Sequence, residues 1–159
     1  MRAALAPAVA LLVAACSSLP APPRPPGGAA IAQAAASLLG TPYHFGGADA
    51  AGFDCSGLAL YVHERSGLAI PRTAVEQQRA AHPVPLGQLA PGDLVFFRIR
   101  SRGINHVGVY AGGGRFIHAP RKGVAVRYGD LSSGSFYARH LVSAGRFWGR
   151  GTPPPSSPR

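Results

Sequence analysis

The stretch "NHVGVYAGGGRFIHA", Asn105 to Ala119, reads as two short strands joined by a glycine-rich turn. Val107 and Val109 alternate with His106, Gly108 and Tyr110, and Ile117 alternates with Phe116 and His118. Strand side chains point alternately to opposite faces, so a core-facing set of Val107, Val109 and Ile117 puts both histidines on the other side of the sheet. A turn centred near Gly112 sets His106 and His118 almost opposite one another, at a Cβ separation of about 4.5–5.5 Å. Two imidazoles at that spacing can interact.

Working outward, "GDLVFFRI" (92–99), "GVAVRY" (123–128) and "FYARHLVSA" (136–144) share this character. They are short, β-branched or aromatic, and set off by Gly, Asp or Ser, as strands of an antiparallel sheet are. The chain before them has another rhythm. "AIAQAAASLLG" (30–40) predicts a helix stopped at Gly40, and "TPYHFGGADAAGF" (41–53) a glycine-rich loop. A second helix should start at Asp54 or Cys55 and run to about Ser66, with Leu58, Tyr61 and Val62 on one face and Gly67 as its stop. Thr73 and Glu76 have capping-box spacing, which predicts a third short helix. Helices first and strands later mean an α+β domain, with helices covering one side of the sheet.

The 159 residues suit one domain plus appendages. "MRAALAPAVALLVAAC" opens with one Arg and then a short apolar run ending in small residues. The run is too short to span a bilayer as a mature helix and reads as a secretory signal over 1–15. "LVAAC" resembles the lipobox of bacterial lipoproteins, which implies lipid attachment at Cys16 rather than simple cleavage at Ala-x-Ala. Residues 16–28 then form a Pro-rich tether, 29–148 the domain and 149–159 a disordered tail. Ser17 after the Cys points to the outer membrane, facing the periplasm. The net charge of +10, from fifteen Arg and one Lys against six acids, first suggests nucleic acid. The arginines are scattered, however, with no dense basic run, and export separates the protein from the genome. An anionic envelope surface, or a bias toward Arg and Ala, accounts for the charge.

With Cys16 lipidated, Cys55 in "GFDCSGLAL" (52–60) has no partner in the chain, although exported compartments are oxidising. An inert buried Cys is one reading; a nucleophile at a helix N-terminus, where N–H groups and the macrodipole favour the thiolate, is the other. His106 is then the candidate base, and His118 the group that orients it by accepting its other N–H. His63, His82 and His140 read as ordinary surface or satisfied residues. One Cys and two His also suit zinc, but no fourth ligand or general base accompanies them, so neither metal nor cofactor is expected.

In order and spacing, "GTPYHFGG" (40–47), "FDCSGL" (53–58), "IPRTAVEQQ" (70–78), "PGDLVFF" (91–97) and the opening stretch resemble the NlpC-type family of bacterial cell-wall cysteine peptidases. The resemblance implies a papain-like α+β fold and a catalytic set of Cys55, His106 and His118. It also implies that Tyr43 lines the site and that Asp54, Ser56 and Thr73 help bind the substrate. Arg72 is expected to pair with backbone carbonyls, and Asp93 to be a turn residue. Phe45 stands where relatives often carry Trp or Tyr. The expected substrate is the stem peptide of peptidoglycan, cut by a monomer at the bond joining γ-D-glutamate to diaminopimelate. The alternatives are cleavage of the cross-link between strands and a non-catalytic wall-binding module.

Overall fold

The computed structural model describes residues 27–149; the expected signal, Cys16 and nearly all of the tether and tail lie outside them. Helix α1 runs Gly28–Ala36, starting inside the expected tether, and the chain turns on to Gly40, whose φ of +87° is left-handed. Ile31, Ala32 and Ala35 are its buried face. A small hairpin follows, of β1 (Ala48–Asp49) and β2 (Gly52–Phe53). Sequence reading missed it because two-residue strands show no periodicity.

Helix α2 spans Cys55–Glu64 and α3 spans Ala74–Ala80. Asp54 caps α2 by accepting from the Gly57 N–H, and Thr73 with Glu76 forms the expected capping box at α3. The large sheet is antiparallel throughout, in the order β3 (His82–Val84), β8 (Leu141–Arg146), β4 (Leu94–Phe97), β5 (His106–Gly112), β6 (Arg115–His118), β7 (Arg127–Asp130). Strand β3 carries Pro83 and lies at the edge, where a missing N–H breaks no ladder.

Helices α1 and α2 pack on one face of the sheet around Ile31, Leu58, Val62, Leu94, Phe96, Val107, Val109 and Ile117. The opposite face is covered too. Val95, Phe97, Phe116 and Ala144 form a second cluster there, with Tyr137 and Leu141 packed on it. The expected strand over "FYARHLVSA" is therefore half cover: 138–140 make a 3₁₀ turn, and the strand begins only at Leu141. Aromatic composition alone does not distinguish a strand from a segment that lies across one. Asp93 is a turn residue with a larger part: fully buried, it holds the Arg146 guanidinium of β8 at 2.7 Å and so ties β4 to β8.

Candidate active site

Helix α2 begins where the glycine loop presses against it. A Cβ on Gly57 would stand 1.9 Å from the Gly47 carbonyl oxygen, so only glycine lets the loop lie there. The Asp54 carboxylate fastens this junction. It accepts from the N–H of Gly57 at 2.7 Å, the N–H of Gly46 at 3.0 Å and the Ser56 hydroxyl at 3.3 Å. Arg72 donates to its two oxygens at 2.7 and 3.0 Å, and to Ser56 Oγ at 2.9 Å. Burial alone would raise the Asp54 pKa, but Arg72 and the backbone N–H groups hold it below the usual carboxylate range. Arg72 thus departs from expectation: its partners are a carboxylate and a hydroxyl, not backbone carbonyls. The backbone is bound instead by Gln77, whose Nε2 donates to the carbonyls of Ser56 and Pro71 at 3.0 and 2.9 Å.

Cys55, the free thiol among the described residues, follows Asp54 as the first residue of α2. Burial pushes its pKa up, and so does the charge of Asp54; the N–H groups of Val107, Ser56 and Cys55 itself pull against them and lose. The expected low-pKa thiolate is therefore not the resting form. A dry pocket penalises the charge more than a helix start rewards it. The contact with Val107 brings the thiol to the β5 residue beside His106.

The two histidines share a face, as parity predicts, but they are not directly opposite. Extending the Val109–Ile117 register by one step sets His118 across from Gly108, so His106 lies on the diagonal. Gly108 leaves room for the Phe116 ring, since a Cβ there would come within 2.3 Å of it. The rings meet with His106 Nε2 and His118 Nδ1 2.7 Å apart, their planes inclined at 77°. Nor is their face the open one: His106 is 5% exposed and His118 1%. Tyr137 closes over both, 6.1 Å from the His106 ring and 4.9 Å from the His118 ring between centroids. Sequence reasoning missed this residue, because nothing in "SFYARH" marks one aromatic as a lid. Burial lowers the His106 pKa to about 4. Burial, His106 and the Arg127 charge lower that of His118 to about 3. Both are neutral at pH 7, with one proton to share across their hydrogen bond.

Tyr43 lies beside the thiol: burial raises its pKa, and Cys55 and Asp54 raise it further. The Thr73 hydroxyl is committed to Glu76, donating to its carboxylate at 2.6 Å. Phe45 projects into solvent, 93% exposed. His82 is exposed, and half-buried His140 donates from Nδ1 to the Phe136 carbonyl at 2.7 Å. His63 is not: it is fully buried, its Nδ1 donating to the Ala59 carbonyl at 2.8 Å while Nε2 has no partner. Among the described residues, no group of three His, Cys, Asp or Glu is placed to hold a metal ion.

Residues 40–146 match the NlpC/P60 family. The chain belongs to this family. The NlpC/P60 domain is 45% identical over 113 residues to the murein DD-endopeptidase MepH of Escherichia coli K12, covering 68% of this chain and 41% of that protein. It is 38% identical over 118 residues to the gamma-D-glutamyl-L-lysine dipeptidyl-peptidase of Bacillus subtilis 168, covering 73% of this chain and 40% of the relative. The chain thus spans about two fifths of the length of these curated relatives. Among solved structures, the NlpC/p60 domain of the peptidoglycan hydrolase SagA superposes with a TM-score of 0.66 at 37% identity, over 76% of this chain and 98% of that one. An NlpC/P60 protein from Bacillus cereus gives a TM-score of 0.71 at 32% identity, over 77% of this chain and 40% of that one. The α+β fold, with helices packed on an antiparallel sheet, is the one these neighbours share.

Proposed function

We propose that this NlpC/P60 domain is a cysteine endopeptidase of peptidoglycan that cleaves the stem peptide at the γ-D-glutamyl–diaminopimelate bond. The observation that carries the reading is the neutral imidazole pair, 2.7 Å apart, formed by the first residue of β5 and the last of β6, with the thiol meeting the backbone of Val107, the residue after His106. With His106 Nε2–H donating to His118 Nδ1, the lone pair on His106 Nδ1 is free to act as base. As the substrate carbonyl arrives, the proton leaves Cys55 Sγ for His106 Nδ1, and Sγ bonds to the carbonyl carbon. The carbonyl electrons move to oxygen, and the N–H of Cys55, at the helix start, donates a hydrogen bond to the oxyanion. His106 then protonates the leaving amine as the C–N bond breaks. Water, deprotonated by His106, attacks the thioester carbon; the C–S bond breaks, the carboxylate product leaves, and His106 returns the proton to Sγ to restore the thiol. His118, kept neutral by its surroundings, accepts from His106 throughout and steadies the transient imidazolium.

A second reading, cleavage of the cross-link between strands, draws support from the likeness to MepH. Mass spectrometry of purified muropeptides decides between them. Cleaved monomeric stem peptides are the expected product; cross-linked dimers split with monomers left intact favour the second. Cys55→Ala should abolish turnover in a folded protein. A variant that still cleaves excludes Cys55 as nucleophile.

A further inference from the structure

Beyond His118 the surface opens into a cleft of about 470 Å³ that the chemistry above does not use. His118 forms one end, Tyr128, Phe136 and Tyr137 supply aromatic walls, and Arg121 and Arg127 bring positive charge. Arg127 is the β7 partner of His118, and Arg121 is held where the chain bridges back to Val124. The ion pairs found among the described residues are Arg72–Asp54 and Arg146–Asp93, so neither cleft arginine is matched by a carboxylate. The acid on this wall, Asp130, is turned into its own loop, accepting from the N–H and hydroxyl of Ser132 at 2.8 and 2.5 Å. Both arginines are exposed to solvent along the cleft, and their charges act on the Tyr137 phenol against the burial that raises its pKa.

Unpaired guanidiniums beside aromatic walls, adjoining a peptidase centre, suit a planar anion carried on a peptide. We propose that Arg121 and Arg127 bind a free carboxylate of the substrate residue next to the scissile bond, making the enzyme selective for peptides whose carboxylates are not amidated. The inference rests on the peptidase reading and sharpens it. Two substrate groups carry this chemistry: the α-carboxylate left free by a γ-linked glutamate and the side-chain carboxylate of diaminopimelate.

The experiment compares synthetic stem peptides that are unmodified, amidated at the glutamate α-carboxylate, or amidated at diaminopimelate. The wild type should show a KM about tenfold or more lower for the unmodified peptide than for one amidated form, and that form identifies the carboxylate. In Arg121→Gln/Arg127→Gln the preference should fall to near unity, whereas Lys122→Gln, an exposed neighbour outside the cleft, should keep it. Equal KM values for all three peptides in the wild type, or a preference that survives in the double variant, overturns the proposal. Calorimetric binding of the same peptides in a Cys55→Ala background separates the two claims. A wild type that cleaves none of them defeats the peptidase reading. In that case, binding that is unaffected by the arginine changes defeats the cleft as well, and binding lost on the changes upholds it.

Discussion

At the scale of single residues, the site rests on two neutral imidazoles and a protonated thiol. Burial sets all three states, raising the Cys55 pKa and lowering those of His106 and His118. An enzyme resting in this form moves its proton only when substrate arrives. Alkylation of Cys55 by iodoacetamide should therefore climb about tenfold per pH unit between pH 6 and 8, following a thiol whose pKa lies above that range. A rate already level across that window would reveal a preformed thiolate–imidazolium pair. In the proposed mechanism His118 acts through the acceptor it offers at Nδ1, 2.7 Å from His106 Nε2. His118→Asn keeps an acceptor near that position and should lose about tenfold in kcat, whereas His118→Leu should lose on the order of 10²–10³-fold. Equal losses in the two variants would assign His118 a packing role only.

Among elements, the decisive joint is the start of α2. One carboxylate serves as helix cap, loop clasp and anion for Arg72, so Asp54 holds the helix that Cys55 opens against the glycine loop and the segment before α3. Asp54→Ala removes the cap and leaves Ser56 and Arg72 without their shared partner. Loss of a cap costs about 1–2 kcal/mol, which lowers Tm by roughly 5 °C or more in a domain of this size. Thermal unfolding followed by circular dichroism reads the change, and an unaltered Tm would show the junction to be held by other contacts. The cap was legible in "FDCSG" because a cap is local. The Arg72 contact was not, since eighteen residues separate the partners and only packing brings them together.

The molecule as a whole hides three histidines in the neutral form. His63 and His106 have pKa values of about 4 and His118 of about 3, against about 6.5 in an unfolded chain. Between those values the unfolded state binds more protons, so stability rises with pH there. The contribution is complete above pH 6.5 and is lost as the pH falls toward 4. For His63 alone the depression is worth on the order of 3 kcal/mol at pH 4. Urea unfolding midpoints should stay level from pH 8 to 7 and fall steadily from pH 6.5 to 4.5. In His63→Phe the decline should be shallower. A midpoint unchanged between pH 7 and 5 would mean that these rings are hydrated in the folded state.

Sequence by itself determined what depends on neighbours along the chain. Capping residues and glycine stops mark the helices because caps and left-handed turns are satisfied within a few residues. Alternation in "NHVGVYAGGGRFIHA" puts His106 and His118 on one face because a strand's side chains have a period of two. The tertiary structure decided what depends on which surfaces meet. It shifted the histidines from opposed to diagonal, because the turn between β5 and β6 falls at residues 113–114 and not at Gly112. It closed Tyr137 over them, which is a matter of where a distant segment comes to rest. It also reversed the expected sign of the shift at Cys55. A helix terminus is a local feature, but desolvation is imposed by everything packed around the thiol, and here desolvation is the larger effect.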